Sequence, residues 1–171
     1  GSSQRTFHAY VHVPFCSVRC GYCDFNTYTA SELKGFRQDE FVGRFQQELA
    51  FSEKVLDESR VEKRALRSVF FGGGTPTQLP PSDLATVLHS LAETYGLADS
   101  AEVTTEANPD SVTYESLQQL AEGGFTRVSF GMQSAVPSVL KTLERTHDPE
   151  NVPIAVRSAK DAGLKTSVDL I

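Results

Sequence analysis

Five short β-rich runs alternate with stretches of helical periodicity along this 171-residue chain. That alternation constrains the fold more than any other feature. The β-rich runs are residues 7–13, 67–71, 101–107, 127–132 and 165–171. Between the first two, Phe41, Phe45, Leu49 and Leu56 recur at helical intervals within 36–56. A second helix is expected over 82–95 with Gly96 as its stop, and a third over 113–122, closed by Gly123 and Gly124. Asp148-Pro149 reads as an N-cap followed by proline in the first turn of a helix ending near Gly163. Strand and helix in strict alternation build a parallel sheet covered by helices, an α/β fold. Alternation alone leaves an open sheet and a barrel equally open. No internal repeat, low-complexity tract or second domain interrupts the pattern.

In parallel α/β architectures ligands lie at the carboxyl ends of the strands, and the unusual residues of this chain collect there. Cys16, Cys20 and Cys23, the only three cysteines, follow the first strand in a CxxxCxxC run. Pro14 and Gly21 favour a loop for that run, although the spacing could also line one helix face. Gly72-Gly-Gly-Thr-Pro-Thr77 follows the second strand, Glu106 and Asn108 end the third, Gln133 and Ser134 the fourth, and Asp169 lies in the fifth. Three soft thiolates at this spacing fit three corners of a cubane iron–sulfur cluster and leave one iron open for a small molecule. A disulfide would strand an odd thiol, and structural zinc needs a fourth ligand that only His12 or Asp24 could supply nearby. His12 alternates with apolar neighbours and reads as a strand residue. The three glycines allow close backbone approach and leave N–H groups for a carboxylate or ribose, or else form a tight turn. They match neither a Walker loop nor a GxGxxG pattern. Glu106 could accept from an ammonium or sugar hydroxyl, or simply cap Asn108-Pro109. Gln133 reads as an orienting amide or a loop start. Arg145 and His147 could bind a carboxylate or lie exposed at a helix end. His8 and His89 read as structural.

Composition excludes some classes of function. The net charge of −6 offers no basic footprint for nucleic acid, and no apolar run approaches a membrane span. The expected setting is soluble, reducing and cytoplasmic. Gly1-Ser2-Ser3 reads as a non-native remnant.

Taken together, several segments resemble the radical SAM enzymes. Within them the likeness is to the group holding oxygen-independent coproporphyrinogen III oxidase and the heme chaperones of the HemW type. The matching segments are 10–16 (Tyr-Val-His-Val-Pro-Phe-Cys), 20–25, 71–77, 106–109, 127–134 and 143–147. The resemblance implies a partial (β/α)6 barrel of which this chain holds about five strands. Residues 1–6 would be a tail and 7–171 the N-terminal part of the core, with the closing strand and a C-terminal domain beyond Ile171. It further implies that Cys16, Cys20 and Cys23 ligate a 4Fe–4S cluster and that Tyr10 and Tyr22 lie beside the cluster and S-adenosylmethionine (SAM). Gly73, Gly74 and Thr75 would touch SAM through the backbone and Glu106 through its carboxylate. Gln133, Arg145 and Asp169 match positions that contact a second SAM or the substrate entrance. A missing strand would leave an exposed edge and a poorly stable fragment.

One departure separates the branches. The oxidase branch carries a further cysteine two places beyond the third, where this chain has Phe25. Phenylalanine can neither ligate nor transfer a group, so the resemblance favours the chaperone branch: heme as cargo, respiratory apo-proteins as acceptors, and a homodimer as the assembly. The alternatives are a porphyrinogen oxidase, or a methyltransferase or heme-degrading relative. None of the four histidines sits in the chaperone branch's His-Asn-x-x-Tyr-Trp heme motif, which would lie beyond Ile171.

Overall fold

The computed structural model describes residues 5–32 and 35–171; the remnant expected at residues 1–3 lies outside them. Five strands, β1 (Phe7–Val13), β2 (Leu66–Gly73), β3 (Leu97–Ala107), β4 (Arg127–Gln133) and β5 (Lys165–Leu170), form one sheet in sequential order. Every neighbouring pair is parallel. Helices α1 (Phe41–Glu58), α2 (Pro81–Tyr95), α3 (Tyr114–Glu122), α4 (Pro137–Thr142) and α5 (Asn151–Asp161) occupy the crossovers. This is the α/β arrangement of a partial radical SAM (β/α) barrel.

The two faces of the sheet differ in chemistry because side chains alternate along each strand. Val11 and Val13, Val69 and Phe71, Val103 and Ala107, and Val128 and Phe130 point to the helix side and are buried. There they meet Leu84, Val87, Leu88 and Leu91 of α2 and Leu117 and Leu120 of α3 in one core. The opposite face carries Tyr10, His12, Phe70, Gly72, Glu106, Ser129, Gly131 and Asp169, and the register sets His12 beside Gly72, Glu106 beside Ser129 and Gly131 beside Asp169. Polar groups on that face bond one another: Ser129 Oγ donates to the Asp169 carboxylate at 3.0 Å, and Arg127 bridges Glu102 and Ser167.

Boundaries depart from the sequence reading where tertiary contacts override local pattern. Residues 36–40 share the apolar periodicity of α1 but precede it, with Gln38–Glu40 in a 3-10 turn. Phe36 earns its place in the pattern by stacking on Phe15, ring centres 5.6 Å apart, from outside the helix. β3 begins at Leu97, ahead of the expected start, through a bulged stretch in which Leu66 pairs Leu97 while Ser68 pairs Glu102. α5 starts at Asn151, because the Asp148 carboxylate accepts from Glu150 N at 2.9 Å and closes a turn before the helix. α4 was not expected: six residues with one buried side chain, Leu140, carry too little periodicity to read.

Candidate functional site

The cysteine run forms a loop closed at its neck by backbone hydrogen bonds. Tyr28 N donates to Pro14 O at 2.8 Å, and Cys16 N donates to Tyr28 O at 3.0 Å, so residues 15 and 28 pair like neighbouring strands. His12 braces the exit. Its Nε2–H donates to Asn26 O at 2.9 Å, which leaves Nδ1 to accept from the Tyr10 hydroxyl at 3.2 Å. His12 is therefore a strut of the loop and not a metal ligand. Inside the loop Cys23 N donates to Cys20 O at 3.0 Å. All three cysteines are free thiols and half-buried.

The end of β2 carries this loop. Gly74 N donates to Val13 O and Thr75 N to Phe15 O, both at 2.7 Å. Gly73 N donates to Glu106 Oε2 at 3.2 Å. The N–H groups expected to be open for a ligand are thus used by the protein, and residues 73–75 can meet a ligand only through carbonyls, Cα surfaces and the Thr75 side chain. The glycines are required by close approach. A side chain on Gly73, which sits at φ +109°, would strike the His12 ring, and one on Gly74 would lie 2.6 Å from Phe15 O.

Glu106 faces the cleft instead of capping Asn108-Pro109; the Asn108 side chain itself accepts from Asp110 N. Burial pushes the Glu106 carboxyl above the usual carboxylate range, the Gly73 N–H pulls it back, Asp169 raises it and His12 lowers it. Gln133 closes β4 in the left-handed region at φ +63°, next to a register shift between Gly131 and itself. A non-glycine residue is rarely found there, and such strain gathers at functional sites.

Arg145 is no exposed helix-end cation. Its Nη1–H lies 3.5 Å from Cys20 Sγ and its Nη2–H donates to Gly131 O, tying the cysteine loop to β4. The Glu144 carboxylate packs on Gly21, and Gly21 N donates to Leu143 O at 3.2 Å, so the whole 143–145 turn clasps the loop. His147 is buried with neither ring nitrogen bonded. Burial, then Arg145, holds its pKa below the ordinary value against Asp110 and Asp148. It does not line the cleft.

Cys16, Cys20, Cys23, Tyr22, Phe25, Gly73, Gly74, Thr75, Glu106, Gln133, Arg145 and Asp169 line one cleft. Tyr10 stands apart. It is 58% exposed and stacked on Phe70, and it reaches the site only through His12. Two residues escaped sequence reading: Thr27, whose hydroxyl lies by the Cys23 thiol, and Glu144, whose positive φ no local motif announces. Among the described residues no three His, Cys, Asp or Glu side chains converge on one ion position. Three free thiols in one loop are the soft donor set that a cubane takes, one thiolate to each of three irons.

Comparison with known proteins places this geometry. The radical SAM superfamily model matches residues 10–171. The heme chaperone HemW of Mycobacterium tuberculosis is 43% identical over 98% of this chain and 42% of its own length. HemW of Escherichia coli is 34% identical over 95% of this chain and 41% of its own. Among solved structures, the coproporphyrinogen III oxidase HemN of Escherichia coli, a radical SAM enzyme, superposes with a TM-score of 0.83 at 26% identity, over 97% of this chain and 37% of that one. The chain thus spans about 42% of the length of the first of these relatives.

Proposed function

Because the chain belongs to the radical SAM superfamily, we propose that Cys16, Cys20 and Cys23 hold a 4Fe–4S cluster that binds SAM, in a protein that carries heme as HemW does. The observation that carries this reading is the 43% identity to a heme chaperone over nearly the whole chain, supported by Phe25 where the oxidase branch has a cysteine. The chain forms the N-terminal part of the core of a longer, cytoplasmic protein. Among the described residues no helix is long and apolar enough to cross a membrane.

When bound, such a cluster supplies a one-electron centre and an open iron for the amino-acid end of SAM. The residues around it have matching charge. Glu106 would accept from the SAM ammonium or ribose, and Arg145, already against Cys20, would be available to a carboxylate. Tyr22 offers its ring to the adenine; burial raises its hydroxyl pKa, which keeps that edge neutral despite Arg145. Gly73 and Gly74 through their carbonyls, with the Thr75 side chain, would meet SAM, and Gln133 and Asp169 line the same cleft. Heme, its acceptor proteins among respiratory enzymes, and a homodimeric assembly belong to the whole protein.

A second reading, porphyrinogen oxidation, is supported by the structural likeness to HemN. One experiment separates the two. The intact protein is reconstituted anaerobically, reduced, and followed by EPR with and without SAM, then supplied with coproporphyrinogen III. A 4Fe–4S signal that shifts with SAM and vanishes in Cys20→Ala, without decarboxylated product, is expected. Vinyl product would establish the oxidase instead, and a folded protein that takes up no cluster would refute both.

A further inference from the structure

Thr27 is 1% exposed, yet its hydroxyl is spent on sulfur. Its Oγ1 lies 3.8 Å from Cys23 Sγ, within hydrogen-bonding reach of the sulfur. The placement follows from the neck of the loop. Tyr28 is pinned to Pro14 and Cys16, His12 holds Asn26, and Thr27 N donates to Phe25 O at 2.8 Å, so residue 27 is carried against the third cysteine. With free thiols either partner can donate. A metal-bound thiolate has lost its proton and can only accept, which assigns the donor role to the hydroxyl.

We propose that Thr27 is a positioning residue whose hydroxyl donates to the cluster thiolate of Cys23 and raises the cluster's reduction potential. The proposal rests on the cluster reading above. Reduction adds one electron to the cluster and concentrates negative charge on its sulfurs. A donor aimed at those sulfurs stabilises the reduced form more than the oxidised one, and burial keeps water from replacing it. Cys20 has its own donor in Arg145. Filling space alone would be served by valine, which has nearly the same shape and no hydroxyl.

The test is a potentiometric titration of the reconstituted intact protein, read by the EPR signal of the reduced cluster. Two pairs of proteins differ essentially in the hydroxyl: wild type against Thr27→Val, and Thr27→Ser against Thr27→Ala. The hydroxyl-bearing member of each pair is expected to show the higher midpoint potential, with iron content equal within the pair. Equal potentials within the pairs, on loaded cluster, overturn the role of Thr27 and leave the cluster assignment standing. If Thr27→Val fails to load, the serine–alanine pair decides alone. A folded wild type that takes up no cluster overturns the underlying reading and this proposal together.

Discussion

Replacing Gly74 by alanine tests whether the end of β2 carries the cysteine loop. The new methyl would sit 2.6 Å from Phe15 O, 2.9 Å from Val13 O and 3.0 Å from Cys16 Sγ. Two of these are backbone atoms that cannot rotate away. Relief requires opening the shortest contact to the 3.4 Å of ordinary packing. The hydrogen bonds from Gly74 N and Thr75 N start at 2.7 Å, so the same displacement carries them to the limit of hydrogen-bonding distance. Two such bonds at ~1 kcal/mol each, with overpacking strain of about 1–3 kcal/mol, put the loss at roughly 2–4 kcal/mol once partial relaxation is allowed. Gly43 is the control: it lies within α1 with nothing inside 4 Å of a Cβ, and alanine there should stabilise by roughly 0.5–1 kcal/mol. The assay is urea unfolding under anaerobic reducing conditions, followed by iron content after reconstitution. Gly74→Ala should unfold earlier and load less iron, and Gly43→Ala should unfold later and load normally. A Gly74→Ala protein matching wild type in both readouts would refute the argument.

Two further outcomes follow from the same geometry. The raised pKa of Glu106 means that the folded state binds its proton more tightly than the unfolded one, whose ordinary value is 4.5. The associated stability is full below that pH and is lost as pH rises through the folded pKa. Glu106→Gln should therefore gain on wild type as pH rises from 4.5 to 7.5 in urea titrations, while the SAM-induced EPR shift disappears; a pH-independent difference would count against burial as the cause. Gln133→Gly should relieve the left-handed strain at φ +63° and raise unfolding stability by about 1 kcal/mol, measured by the same titration, with a weakened response to SAM; a loss of stability would show that the Gln133 side chain holds the turn.

The succession of strands and helices along the chain and the end of the sheet that carries the chemistry were legible in the sequence, because both depend on local periodicity and on polar residues at strand ends. So was the gathering of Glu106, Gln133 and Asp169 around the cysteines, since parallel strands bring their carboxyl ends together. What escaped reading depends on contacts across the chain. Tyr10 shares a motif with the cysteines, but alternation along β1 sends its ring to Phe70 and outside the cleft. The N–H groups of Gly73 to Thr75 looked open because their acceptors, Glu106 and the carbonyls of residues 13 and 15, are distant or carry no side-chain signature. Arg145 resembles a surface cation until the turn at Glu144 folds it onto Cys20, 125 positions away. Thr27 gave no signal, since nothing local says that a threonine four places after a cysteine will face sulfur.

The hydrogen-bonded neck between Pro14 and Tyr28 bears on what a bound cluster would have to contribute to folding. In a zinc finger the metal itself closes the chain, so losing it unfolds the domain. Here the entropy of closing the loop is met by backbone bonds to residues 14, 16 and 28 and by the end of β2. Loading the cluster proposed above would therefore resemble the binding of a ligand more than a round of folding.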